Sequence, residues 1–276
     1  MRGMNVNMKK IMVFIPMYNC EKQIVRVLSQ FDDDVCRYIK EIVIVNNRST
    51  DDGENAAISY CKNKTNSIKI TILRNNDNYN LGGSHKVAFD YAKKKGYNYL
   101  IVLHGDDQGD IHDLVPYLKD KTYESYDCLL GSRFMKGSKL KGYSRFRTFG
   151  NRVYNIIFSV FLGKNISDLG SGLNMYNVDI LKNNFYVKYP DRLTFNCYML
   201  LAANCYNHII KFFPISWRED DQVSNVKMLS QALTTLKLVL SYFVRRKKYL
   251  EEEHRERIVE KYLAKKIYCS EEDKNE

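Results

Sequence analysis

Residues 99–110 read YLIVLHGDDQGD, an apolar run that breaks into a histidine, a glycine and closely spaced carboxylates. An unbroken apolar stretch this short fits a strand buried on both faces, as in a parallel sheet covered by helices. Similar runs stand at 10–15 (KIMVFI), 41–45 (EIVIV), 69–73 (KITIL) and 127–131 (DCLLG), separated by helix-like segments near 21–31, 51–62, 83–95 and 111–119. This alternation predicts an α/β fold with a Rossmann-like sheet and helices on both faces. Ligands of such sheets sit beyond the carboxyl ends of the strands. Those ends read Pro16-Met17-Tyr18-Asn19, Asn46-Asn47-Arg48-Ser49, Asn75-Asn76-Asp77 and His104-Gly105-Asp106-Asp107, all carrying polar side chains.

The 276-residue chain is 45% hydrophobic, enough for a real core, and its net charge of +11 favours an anionic partner. Seven scattered cysteines without a CxxC pair predict neither a disulfide framework nor a zinc ribbon and fit a reducing, cytoplasmic setting. The basic then apolar N-terminus is too short in its apolar part for a signal peptide. No stretch reaches the roughly 18 apolar residues of a spanning helix, so membrane contact is expected to be peripheral.

The stretch 132–152 (SRFMKGSKLKGYSRFRTFGNR) carries seven Lys or Arg and no acid, and reads as a loop before a helix at 153–162 with almost no polar face. Such a helix is buried or lies in lipid. An αβ pair is expected at about 192–206 and 208–214. Residues 228–244, apolar on one side and followed by Arg245-Arg246-Lys247-Lys248, predict an amphipathic helix, with the tail from Glu251 helical at best. The expected organisation is a domain over 1–227 and a C-terminal helical extension over 228–276 that contacts a membrane, the domain itself or a homodimer partner. The basic residues cluster beside an apolar helix and not on an aromatic-studded sheet or recognition helix, which disfavours nucleic acid.

No GxGxxG follows the first strand, and NLGGSHK at 80–86 lacks P-loop spacing, so dehydrogenase and P-loop readings lose ground. Asp106 and Gln108, two apart in an extended segment, point to one face and suit a hard cation, Mg²⁺ or Mn²⁺, shared with substrate phosphates. The competing reading is that Asp106, Asp107 and Asp110 cap the next helix. Arg133 and Arg147 are candidates to grip a phosphate with paired hydrogen bonds. His104 alone is more often a packing residue than a ligand.

Taken in order, VFIPMYNCEKQI, EIVIVNNRSTDDG, NYNLGGSHKVAFDYAKKKGYNYLIVLHGDDQGD, LLGSRF, RTFGNRVYNIIFSVFLGKNISDLGSGLNMYNVDIL and FFPISWREDDQVSNVK resemble family 2 of the nucleotide-sugar glycosyltransferases, whose fold is GT-A. The likeness spans about residues 10 to 230 and is greatest to the branch of dolichyl-phosphate mannose synthase and the bacterial polyprenyl-phosphate glycosyltransferases. It implies an inverting hexosyltransferase that moves a sugar from a nucleotide-diphosphate sugar to a polyprenyl phosphate, or alternatively to a hydroxyl of a glycan or lipid-linked saccharide.

By position the resemblance implies that Pro16, Tyr18, Asn19 and Glu21 form the first nucleotide-binding loop. Asn47 falls where the family has an acid holding the nucleoside, and Gly83 in NLGGSHK joins the nucleotide-sugar set. The DxD signature falls on His104-Gly105-Asp106, with metal ligands at Asp106 and Gln108. Arg133, Arg147, Asn151 and Ser171 fall in acceptor segments, Asp168 in a DxxSG match, and Lys227 on a diphosphate contact. Asn46 and Asn47 replace acids. Asn196 stands where many relatives carry Glu, leaving Asp168 or Asp191 as possible bases. A hydroxyl acceptor needs a base, whereas a phosphate is already an anion.

Overall fold

The computed structural model describes residues 9–64, 68–221 and 228–271. In chain order the elements are β1 (Ile11–Met17), α1 (Glu21–Ser29), α2 (Asp33–Cys36), β2 (Glu41–Asn46), α3 (Gly53–Asn63), β3 (Lys69–Asn75), α4 (Asn80–Lys95) and β4 (Tyr99–Leu103). There follow α5 (Val115–Lys119), β5 (Cys128–Ser132), β6 (Lys139–Lys141), α6 (Arg145–Leu162), β7 (Leu173–Asn177), α7 (Phe195–Cys205), β8 (Ile210–Pro214), β9 (Ser216–Arg218), α8 (Met228–Glu251) and β10 (Ala264–Cys269).

Eight strands form one sheet in the order β10-β3-β2-β1-β4-β7-β5-β8. β3, β2, β1 and β4 run parallel, as the apolar runs predict, because each is buried on both faces. Alternate residues feed two cores. Met12, Phe14, Val43 and Val45 pack with α4, α7 and α8 on one face, while Val13, Ile15, Ile42 and Ile44 pack with α1 and α3 on the other.

Three expectations are corrected. The sheet is mixed, since β7 inserts antiparallel between β4 and β5. The basic stretch, expected as a loop, holds the short strand β6, which pairs with β9, and from Arg145 the first turns of α6, where the Ser144 side chain caps Arg147 N. Among the described residues of the segment 228–276, read as a helical extension, the helix ends at Glu251. The segment's Ala264–Cys269 part is a strand pairing antiparallel with β3, which supplies the backbone partners that an edge strand otherwise leaves open.

Candidate active site

The carboxyl ends of β1, β2 and β4 open on a cleft of about 710 Å³ lined by Pro16, Tyr18, Asn47, His104, Gly105 and Asp106. Gly105 is required for this geometry, because a Cβ there would lie 2.7 Å from the Pro16 carbonyl that its own N–H bonds at 3.1 Å. Asn19, in the left-handed region at φ 49°, accepts from Thr50 N at 2.8 Å, and Glu21 N donates to Asp51 Oδ2 at 2.8 Å. The loops after β1 and β2 are thereby tied into one wall. Gly83 serves packing: a Cβ would meet Tyr79 Cβ at 2.4 Å.

The asparagines that replace acids have a local reason. Asn46 Nδ2 donates to Glu54 Oε2 at 2.6 Å, where a carboxylate would meet a like charge. Asn47 is buried. It donates to Asn78 Oδ1 at 2.8 Å and accepts from Asn75 Nδ2 at 2.9 Å and Tyr79 N at 2.8 Å, so its amide uses both ends.

Along the opening stretch, His104, Asp106 and Gln108 are half-buried while Gly105, Asp107 and Gly109 are buried. Asp106 lines the cleft but Gln108 is not among its lining residues, because Asp107 between them takes φ 61° and the segment turns where the sequence leads one to expect it extended. Burial pushes the Asp106 carboxyl up to about 6 against a backbone bond from Gln108, with Asp107 and Glu219 adding like charge. His104 packs on Gly172, its Nε2 has no hydrogen-bond partner, and burial beside Arg133 pushes it down to about 4, so it is a neutral imidazole at pH 7.

The two remaining acids divide. Asp110 caps the following 3₁₀ turn by accepting from His112 N at 3.0 Å. Asp107, at φ 61°, is not a cap: it receives Arg26 Nε at 2.6 Å, Gln30 Nε2 at 3.1 Å and the Arg218 guanidinium. A buried carboxylate with two arginines fixes the loop that carries Asp106. Among the described residues no group of three or more His, Cys, Asp or Glu is gathered to cage a metal ion.

The structure pairs Arg133 and Asp168 with each other. Nε and Nη2 of Arg133 reach the two oxygens of Asp168 at 2.8 Å each, and Arg133 N adds a bond of 3.0 Å. The guanidinium also lies over Phe134, Tyr143 and Trp217 at 5.1, 5.8 and 5.1 Å. Arg147 stacks on Tyr143 at 4.5 Å and bonds Glu219 Oε2 at 2.6 Å, and Asn151 donates to the Tyr143 hydroxyl at 2.9 Å. Tyr143 thus unites three of the four acceptor candidates. Ser171 is buried and bonds the Leu173 carbonyl at 3.1 Å. Asp191 is held by buried Lys86 Nζ at 2.7 Å and by the Tyr262 hydroxyl at 2.8 Å. Lys227 lies outside the described residues.

The cleft is also lined from the C-terminal half by Arg192, Leu193, Thr194, Thr234 and Glu256, which sequence reasoning missed. Arg192 to Thr194 lie just ahead of α7 and fall inside an expected αβ pair, and Glu256 lies in the tail. Nothing in their types marks them out.

A mixed sheet whose parallel strands end on a polar cleft is the arrangement of the GT-A class of nucleotide-sugar transferases, as the comparisons show. The model of glycosyl transferase family 2 matches residues 12–185, and the chain belongs to that family as a nucleotide-sugar-dependent glycosyltransferase. An uncharacterized protein of Methanocaldococcus jannaschii is 26% identical over 210 residues, 76% of this chain and 82% of its own. The undecaprenyl-phosphate mannosyltransferase of Micrococcus luteus is 22% identical over 174 residues, 63% and 68% of the two chains. Among solved structures, glucosyl-3-phosphoglycerate synthase of Mycobacterium tuberculosis in complex with UDP superposes with a TM-score of 0.59 at 13% identity, covering 86% of this chain and 80% of that one. That enzyme is also known with Mn²⁺, UDP and phosphoglyceric acid. S. aureus TarS 1-349 gives 0.55 at 18% identity, covering 84% and 64%. These structures share the GT-A fold with the chain.

Proposed function

We propose that this enzyme transfers a sugar from its nucleotide donor to a lipid phosphate. The observation that carries the reading is that both carboxylates the sequence offers as a base are committed to cations: Asp168 to Arg133, and Asp191 to Lys86. Asn196, at the third candidate position, is an amide. A phosphate acceptor needs no base. It needs guanidinium groups, and Arg133 and Arg147 flank one ring, Tyr143, where an anionic head would compete with Asp168 and Glu219 for them. The similarity to a lipid-phosphate mannosyltransferase supports the same acceptor class.

Next to this box α6 exposes Phe146, Phe149, Val153, Ile156 and Val160, spaced alternately three and four residues apart, so they form one apolar stripe. Phe161 joins α6 to Phe243 of α8 at 5.1 Å, and Leu240, Phe243 and Val244 extend the exposed apolar face. Arg145 and Arg152 on α6 and Arg245 to Lys248 on α8 supply positive charge around it. Among the described residues no helix is long and apolar enough to cross a membrane. The stripe suits peripheral contact with an anionic bilayer that also delivers a lipid acceptor.

On the donor side, Pro16, Tyr18, Asn19, Glu21, Asn47 and His104 form the nucleotide wall of the reading. Asp106 and Gln108 would hold Mg²⁺ or Mn²⁺, and the fit lies in their oxygen donors, of which the Asp106 carboxyl, raised by burial and by neighbouring acids, would be returned to its ionised form by a divalent ion. When bound, such an ion would neutralise a departing nucleoside diphosphate. The chain's own part is to orient donor and acceptor and to exclude water. Arg147→Ala tests the acceptor assignment. It should raise the KM for a polyprenyl phosphate about tenfold, on the order of one charge-assisted hydrogen bond, while leaving nucleotide-sugar binding within about twofold. Equal losses on both would overturn it.

A further inference from the structure

The chain between α8 and β10 returns across the cleft. It is anchored at each step: His254 N donates to Lys188 O at 2.9 Å, Arg257 pairs with Asp77 at 2.8 Å, the Tyr262 hydroxyl bonds Asp191, and Leu263 O accepts from Asn76 N at 2.9 Å. Within this strap Glu256 lines the cleft and pairs with Arg192, also a lining residue, at 2.7 Å. Both side chains of the pair are 66% exposed. An ion pair that exposed contributes about 0–1 kcal/mol. The two backbone bonds and the part-buried Tyr262–Asp191 contact, and not the exposed Arg192–Glu256 and Arg257–Asp77 pairs, hold the strap.

We propose that Arg192 and Glu256 recognise the hydroxyls of the transferred sugar, making the strap the specificity wall of the donor site. This rests on the reading of the cleft as a nucleotide-sugar site. The chemistry selects the sugar from among the parts of the donor. A carboxylate repels a diphosphate, and the nucleoside wall around Asn47 is built of amides already used within the protein. A hexose is a neutral polyol whose neighbouring hydroxyls each donate and accept. Glu256 offers two acceptor oxygens, Arg192 a fork of donors, and the Thr194 hydroxyl lies on the same cleft. A carboxylate and a guanidinium fixed side by side read the orientation of such hydroxyls, because an inverted one leaves a group unpaired.

The test is calorimetric titration with Mn²⁺ of UDP-glucose, UDP-galactose, UDP-N-acetylglucosamine and GDP-mannose, each beside UDP or GDP alone. For each donor the ratio of diphosphate Kd to nucleotide-sugar Kd isolates the sugar. Glu256→Ala and Arg192→Ala should lower that ratio at least fivefold for the preferred donor and leave the diphosphate Kd within twofold. Glu256→Gln should alter the order of preference among the four. Thermal unfolding of each variant checks that the fold is kept, which the exposure of both residues leads one to expect. Unchanged ratios, or parallel loss of diphosphate and nucleotide-sugar binding, would overturn the proposal. No acceptor enters the experiment, so its failure would leave the lipid-phosphate reading standing, and failure of that reading would leave this one untouched.

Discussion

The two sides of the site are built from different chemistry. At the carboxyl ends of β2 and β3 the linked polar groups Asn47, Asn75 and Asn78 are neutral amides. Around α6 they are charged: Arg133 with Asp168, Arg147 with Glu219, and Tyr143 against both guanidinium groups. A neutral network is set by hydrogen-bond direction and changes little with salt. A set of ion pairs can exchange an internal anion for an external one of similar shape. The first suits a nucleoside, the second an anionic acceptor.

The largest effect expected from breaking this contrast is at Asp168. Asp168→Ala leaves the Arg133 guanidinium, only 13% exposed, without its counter-ion, and should cost about 3–5 kcal/mol in denaturant unfolding. A cost below about 1 kcal/mol would mean that the charged side is no more tightly built than the amide side. Next is Asp106→Ala, which should retain the fold and reduce transfer by roughly 100-fold or more, equivalent to about 3 kcal/mol. Transfer at the wild-type rate would remove Asp106 from the chemistry.

On the amide side, Asn47→Asp restores the acid found in relatives yet should destabilise by about 1–3 kcal/mol. An aspartate cannot donate to Asn78 Oδ1, which also accepts from Asn80 N at 3.0 Å. Unchanged melting would show that the amides are interchangeable with acids.

A smaller effect appears with pH. The folded Asp106 carboxyl titrates near 6, above its ordinary 3.8, so the fold holds the extra proton in that window and acidification favours it. His104 titrates near 4, below its ordinary 6.5, so there the unfolded chain holds the proton and acidification opposes the fold. The two oppose each other in the wild type. Asp106→Asn removes one, and its melting temperature in chelator should fall more steeply between pH 6.5 and 4 than that of the wild type. Parallel curves would refute the assignment. The smallest effect is at Phe149→Ser, 67% exposed, which should change stability by no more than about 0.5 kcal/mol while weakening co-sedimentation with anionic vesicles. Retained vesicle binding would detach the stripe from the membrane.

What was legible in the sequence was local. The apolar runs name β1 to β5 to within a few residues, and Asp110 reads as a cap because its partner, His112 N, is two residues away. The pairing of Arg133 with Asp168 spans 35 residues and that of Arg26 with Asp107 spans 81, and no periodicity carries such information. Strand β10 was missed because AKKIYC, with two lysines, resembles a solvated tail. Its partner, the open edge of β3, exists only after the sheet forms. Glu256 was missed for the same reason.

That last strand has a consequence for the order in which the enzyme is made. Ile70 and Ser270, bonded at 3.0 Å, are 200 residues apart. A ribosome must therefore have released the chain past β10 before β3 gains its outer partner and Glu256 reaches the cleft. The nucleotide wall can assemble before the strap is made, so a nascent chain would hold a half-built donor site until β10 docks on β3.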